Sequence, residues 1–268
     1  MGDPMKRFEV LSSSPQVEAG ESTQPAEIAL EAALLVMRSG GSTVAAERSF
    51  ANILKGYKEK VTTVWRIDFI AITNVMKGQS STVVRPVGPL GVNLFRASEV
   101  AVLGERAAKG EIATAALGAE IERIKHLRSP YNRWVMMLAA AFTGACFSQI
   151  PGGDWGSAGI AFVAAGVGQF LRSLLQARKV AVAPTTLVCG LLSALIACAG
   201  LRLGFSHVQP ATLIASVIYM APGLPLINGF VDMVSHKYLF VGFERIVNAA
   251  FLFLILAIAI ALAHTIVL

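Results

Sequence analysis

Between Trp134 and Leu268 the chain carries about five apolar stretches of roughly 20 residues each, the length a helix needs to cross the hydrocarbon layer of a bilayer. Nothing else in the sequence restricts the fold so strongly. A segment in lipid must satisfy its backbone polar groups internally, and runs of this length and apolarity do so as helices. The charged residues tell the complementary story, since 31 of the 40 Asp, Glu, Lys and Arg side chains lie at or before Arg133. The expected fold is therefore an α-helical polytopic membrane protein with an N-terminal α+β cytosolic domain. It divides into a disordered tail over 1–25, the cytosolic domain over 26–133 and a transmembrane domain with five helices over 134–268.

The net charge of +6 is modest, and the basic surplus gathers just ahead of the membrane at Arg123, Lys125, Arg128 and Arg133. Such a cluster sits beside anionic headgroups and keeps a domain in the cytoplasm. No basic face interleaved with aromatics is present, which argues against nucleic-acid binding. Cys146, Cys189 and Cys198 fall inside apolar runs and read as small core residues. The four histidines are scattered without Cys or acidic partners at ligand spacing, so neither a metal nor another cofactor is expected. No apolar run follows Lys6-Arg7, so no secretory signal is read there.

In the N-terminal half, apolar residues recur at helical spacing from Ala26 to Arg38, and the run ends at Ser39-Gly40-Gly41. Ser42 then stands where it can cap a second helix carrying Phe50, Ile53 and Leu54. Gly40-Gly41 fits either a hinge between two helices or an anion-binding nest. Alternation over Val61 to Val75 predicts a strand, which Gly78-Gln79-Ser80 turns into a second extended run, Thr82 to Arg85. Helical patterns return over Leu94–Ala107 and Glu111–Leu127. No Walker loop, dinucleotide fingerprint or nucleophile elbow is found; the nearest imitation, Trp155-Gly156-Ser157-Ala158-Gly159, has Trp155 where a glycine must stand. No enzymatic activity is expected.

The predicted spans are 134–151, 155–175, 180–202, 208–230 and 246–267. Arg172, Arg178 and Lys179 stand at the end of the second, Lys237 and Arg245 separate the fourth from the fifth, and Arg202 stands on the other side. This alternation places the N-terminal domain in the cytoplasm. Span two is rich in small residues from Gly156 to Gly168, a surface suited to close helix packing.

Span four holds the candidate site. Pro222 and Pro225 each remove a backbone donor and free the carbonyl four residues earlier, and with Gly223 they suggest an interrupted helix. Interrupted membrane helices expose backbone to substrates in transporters. If helicity resumes, Pro225, Asn228 and Asp232 share one face, and Arg245 is placed to pair with Asp232 across the loop. The plainer alternatives are a proline kink with Asp232 among headgroups and Arg245 as an ordinary cytoplasmic anchor. Pro222, Gly223, Asn228, Asp232 and Arg245 are thus the candidate substrate-binding or coupling residues.

The series Pro222-Gly223, Asn228, Asp232, Gly242 and Arg245 resembles the C-terminal signature of the threonine/serine exporter family in its short form. Leu34-Leu35 with Ser39-Gly40-Gly41-Ser42-Thr43, the strand through Phe69, Arg85 and the Gly110 turn resemble that family's N-terminal domain. The extra glycine and the lack of an arginine before Arg48 depart from the pattern. The resemblance implies secondary export of small polar metabolites, threonine and serine in long members and succinate in short two-component relatives. It also implies a separately encoded second membrane subunit with about four spans. Five spans with few polar groups leave little room for a closed aqueous path, so the chain is expected to work as an oligomer with that subunit, in the inner (plasma) membrane. Two other readings compete. One is a non-transporting membrane anchor whose cytosolic domain binds a partner or signal; the other is a membrane-embedded hydrolase, which lacks a nucleophile and base.

Overall fold

The computed structural model describes residues 25–55, 61–76 and 79–268. The expected tail lies outside these residues except for Pro25, which begins α1 (Pro25–Arg38). Proline at the first helical position, Glu27 in the first turn and Arg38 in the last suit the ends of this helix. Its middle, from Ile28 to Met37, is buried on almost every side, as expected of a helix apolar all round. α2 (Thr43–Lys55), α3 (Leu94–Ala108) and α4 (Thr114–Lys125) pack around it.

The expected strand over Val61–Val75 divides in two. Arg66 N–H donates to the carbonyl of Phe69 at 2.9 Å, closing a turn through Ile67 and Asp68 that separates β1 (Val61–Trp65) from β2 (Phe69–Met76). Alternation runs on through that turn, which is why it is invisible in the pattern. β2 pairs antiparallel with β3 (Gln79–Pro86) in the register Phe69↔Pro86 to Met76↔Gln79, and the sheet order is β1-β2-β3. The predicted turn at Gly78 falls partly on residues outside those described. Trp65, Ile70 and Ile72 face the core around α1.

The C-terminal half is helical: α5 (Arg133–Gln149), α6 (Trp155–Ala177), α7 (Val182–Arg202), α8 (Gln209–Val217) with a 3-10 turn (Ile218–Met220), α9 (Gly223–Val234) and α10 (Leu239–Val267). Among the described residues α6, α7 and α10 are long and apolar enough to cross a membrane, and α8 with α9 make a fourth crossing if the bent pair is one span. α5 has 17 residues, about 25 Å of helix, and is at the short limit for a bilayer core. Asn132 and Asp154 start α5 and α6 by accepting backbone N–H bonds from Trp134 and Ser157.

This half is built inside out relative to a water-soluble domain. Large apolar side chains point outward, with Phe142 61%, Leu254 58% and Phe251 54% exposed, whereas the buried positions of α6 are mostly small, Ala161, Ala164, Ala165, Gly166 and Gly168 among them. Small residues inside and large apolar ones outside is the arrangement that lipid as solvent favours. The small-residue face of α6 packs within the chain, against α5, α7 and α8. Cys189 and Cys198 are in this interior, while Cys146 is exposed on α5.

α9 and the first turns of α10 form a hairpin that leaves this bundle. Its helices touch at Gly229 and Gly242, where a Cβ on Gly242 would stand 2.5 Å from the Gly229 carbonyl. Tyr238 and Val241 of the hairpin enter the core around α1, and Trp65 meets Tyr238 edge to face at 6.1 Å.

Candidate functional site

The α1–α2 connection explains why a membrane helix docks there. Gly40 adopts φ +89°, its N–H reaches the Met37 carbonyl at 3.1 Å and the Gly41 N–H reaches Val36 at 2.9 Å. This is a Schellman ending, and it makes the glycine pair a helix-to-helix hinge. Gly41 has no room for a side chain because a Cβ would run into Val36. Ser42 then caps α2 by accepting from Ala45 N–H at 3.1 Å. The turn leaves the carbonyls of Gly40 and Gly41, and the N–H groups of Thr43 and Val44, for an outside partner.

The α9–α10 hairpin supplies that partner group by group. Asn228 Nδ2 donates to the Gly40 carbonyl at 2.7 Å, and Arg245 Nη2 donates to the Gly41 carbonyl at 3.3 Å. Asp232, fully buried, accepts from Thr43 Oγ1 at 2.8 Å, from Thr43 N–H at 3.2 Å and, through its other oxygen, from Val44 N–H at 3.2 Å. Donors thus meet the end of α1 and an anion meets the start of α2, as both helix dipoles favour. Arg245 Nε lies 3.1 Å from Asp232 Oδ2 but is not aligned for a hydrogen bond, so that contact is one of charge. Two further ion pairs, Lys237 with Glu47 and Arg66 with Glu244, join the same surfaces at their rim.

Of the five predicted site residues, Asn228, Asp232 and Arg245 are brought together in this clasp. Arg245 stands within α10, which begins at Leu239, so it faces inward at 3% exposure instead of lying in a connection. Pro222 and Gly223 are at the interruption: α8 and its 3-10 turn end at Met220, and α9 starts at Gly223 bent by 71°. Gly223 faces open space, with nothing within 4 Å of a Cβ built there. Thr43 is the partner that sequence reasoning missed; Ser42-Thr43 signalled only a local cap, and no spacing rule joins residues 189 positions apart. Among the described residues no three His, Cys, Asp or Glu side chains converge, so the geometry offers no metal cage.

The family described as "Putative threonine/serine exporter" matches residues 27–267. The protein "Probable succinate transporter subunit YjjP" of Klebsiella aerogenes is 25% identical over 252 residues, covering 93% of this chain and 96% of that protein. Its namesake in Escherichia coli K12 is 29% identical over 200 residues, covering 74% and 76%. No solved structure matches. An exporter family is one of transport proteins and not of enzymes, which agrees with the absence of a nucleophile–base pair in the sequence reading. With outward-facing apolar helices and a match over nearly its whole length, the chain is a multi-pass membrane protein that belongs to the threonine/serine exporter family.

Proposed function

We propose that the protein is the membrane subunit of a secondary exporter of small polar metabolites, either threonine- or serine-like amino acids or dicarboxylates such as succinate. Residues 26–133 are its cytosolic α+β domain, and residues 134–268 are five spans in the inner membrane, with α5 as the short first one. A second, separately encoded membrane subunit with about four spans completes the translocation path, and the assembly is an oligomer. The relatives named as succinate transporter subunits support both the dicarboxylate and the need for a partner.

The observation that carries the reading is the interruption at Ala221-Pro222 together with the clasp directly below it. α8 and its 3-10 turn have 12 residues, rising roughly 20 Å; if α8 starts at the membrane face, the break falls within a hydrocarbon layer of about 30 Å. In this reading Pro222 and Gly223 form the substrate-facing break. Asn228, Asp232 and Arg245 are the coupling residues that pass movement between the cytosolic domain and the membrane. A non-transporting anchor would need the clasp but has no use for an interrupted helix. The test is export from cells loaded with threonine-containing dipeptides or with succinate, with and without this gene and an adjacent gene for a four-span protein. Export that is unchanged by deleting either gene rejects the proposal.

A further inference from the structure

The interruption in the fourth span leaves the carbonyl of Tyr219 without a helical partner, and the side chain that meets it is Arg172 of α6, whose Nη1 donates to it at 3.2 Å. Arg172 lies five residues before the end of α6, about 8 Å inside the helix terminus, and its half-buried side chain reaches the 3-10 turn after α8. An arginine at this depth is costly, and where one is kept it marks a substrate or ion path. Among the described residues no carboxylate lies within ion-pair distance of it. Between Arg133 and Asp232 the chain has a single acidic residue, Asp154, at the opposite end of α6 and roughly 27 Å away along the helix.

The helices around Arg172 are polar inside. The Tyr219 hydroxyl stands 3.0 Å from Ser193 Oγ and donates to the Cys189 carbonyl at 3.3 Å, and Ser193 donates to the Ala164 carbonyl at 2.9 Å, so of the three Arg172 alone keeps unused donors. Gly168, one turn before Arg172, makes room for both hydroxyls, since a Cβ there would overlap them. Gln169, 6% exposed, shares that face of α6 by helical spacing. One guanidinium edge is used on a single backbone oxygen, which leaves most of its five donors for a planar, doubly accepting anion.

We propose that Arg172 is the carboxylate anchor of the translocation path: its guanidinium holds a carboxylate of the exported molecule at the helix break. This rests on the exporter reading and names the chemistry that the site recognises, a carboxylate whether of a dicarboxylate or of an amino acid. The residue acts apart from the Asp232 clasp, and the two make different demands: the clasp joins two halves of the chain, while Arg172 awaits a counter-ion from outside.

The test uses the full chain co-purified with its small membrane subunit. Binding of succinate, threonine and the uncharged analogue succinamide is measured by calorimetry, and melting temperature is recorded without ligand. The wild type is expected to bind succinate or threonine, the choice identifying the source of the carboxylate, and to ignore succinamide. Arg172→Gln should weaken that binding by about 10- to 100-fold, while loss of the bond to the Tyr219 carbonyl lowers the ligand-free melting temperature only slightly. Arg172→Lys, which keeps the charge and loses the fork, should fall in between. If both variants lower the melting temperature and bind as well as wild type, Arg172 is a strap on the Tyr219 carbonyl and the inference is overturned while the exporter reading stands. Arg172→Lys alone decides the matter if the glutamine variant does not fold, because undiminished binding by it excludes a bidentate anchor. A wild-type complex that exports from loaded cells and binds succinamide as well as succinate also overturns it. A complex that neither binds nor exports a carboxylate overturns both.

Discussion

Asp232 satisfies three donors from one buried carboxylate, and no other side chain of similar size can do so. An amide keeps one acceptor and turns its NH2 group on a backbone N–H, leaving Arg245 buried without its countercharge. Breaking a buried pair this way costs about 3–5 kcal/mol. Asp232→Asn is therefore expected to abolish export while the protein still inserts, and to release the N-terminal half from the hairpin, read as faster tryptic cleavage of native protein in membranes. Asn228→Ala removes one neutral hydrogen bond, worth about 1 kcal/mol. It should leave the protease pattern near wild type and change substrate affinity or preference; unchanged kinetics would take Asn228 out of the coupling set. The sequence pointed to the Asp232–Arg245 pair because both charges flank one short loop next to an interrupted span. It could not point to Thr43, since a threonine after a cap residue looks the same whether or not a carboxylate from another helix arrives.

At the scale of elements, two prolines and a glycine point to a break near Ala221, where the 3-10 turn ends at Met220 and α9 starts at Gly223, because a missing N–H and a ring clash are local facts. The 71° bend is a tertiary outcome, set by where the hairpin docks, and no residue pattern encodes it. The β1–β2 turn was hidden for the opposite reason, since Arg66 and Asp68 kept the alternation of a strand while the chain reversed. Pro222→Ala restores a donor beside the break and should impair transport at equal expression by favouring a continuous helix; full activity would make the bend a structural kink only. Gly242→Val tests the hairpin itself. The added side chain meets the Gly229 carbonyl and Met233, and overpacking of this kind costs about 1–3 kcal/mol. Lower abundance and a lower melting temperature are expected, and an unaffected melting temperature would show that the two helices part easily.

For the whole molecule, the long apolar runs made the membrane-crossing helices α6, α7 and α10 legible at once, and helix limits were close wherever a capping residue stood at the start, as Asn132 and Asp154 do. How the halves meet was not legible, because the receiving groups on the N-terminal side are mostly backbone. The proposed topology predicts that a cysteine replacing exposed Ser98 on α3, in a background where Cys146 is serine, is shielded from an impermeant thiol reagent in intact cells and reacts after lysis. Labelling of intact cells would reverse the topology and the direction of transport built on it.

α10 has 29 residues, about 43 Å, and outlasts the roughly 30 Å hydrocarbon layer. Arg245 near its N-terminal end grips the Gly41 carbonyl, and at its C-terminal end the Val267 carbonyl is held at 2.7 Å by Arg202 of α7. A helix with its ladder intact does not stretch. On the proposed topology a shift of the clasp would then arrive on the far side of the membrane as a tilt or slide at Arg202, the longest helix acting as a push-rod whose two ends are both already attached.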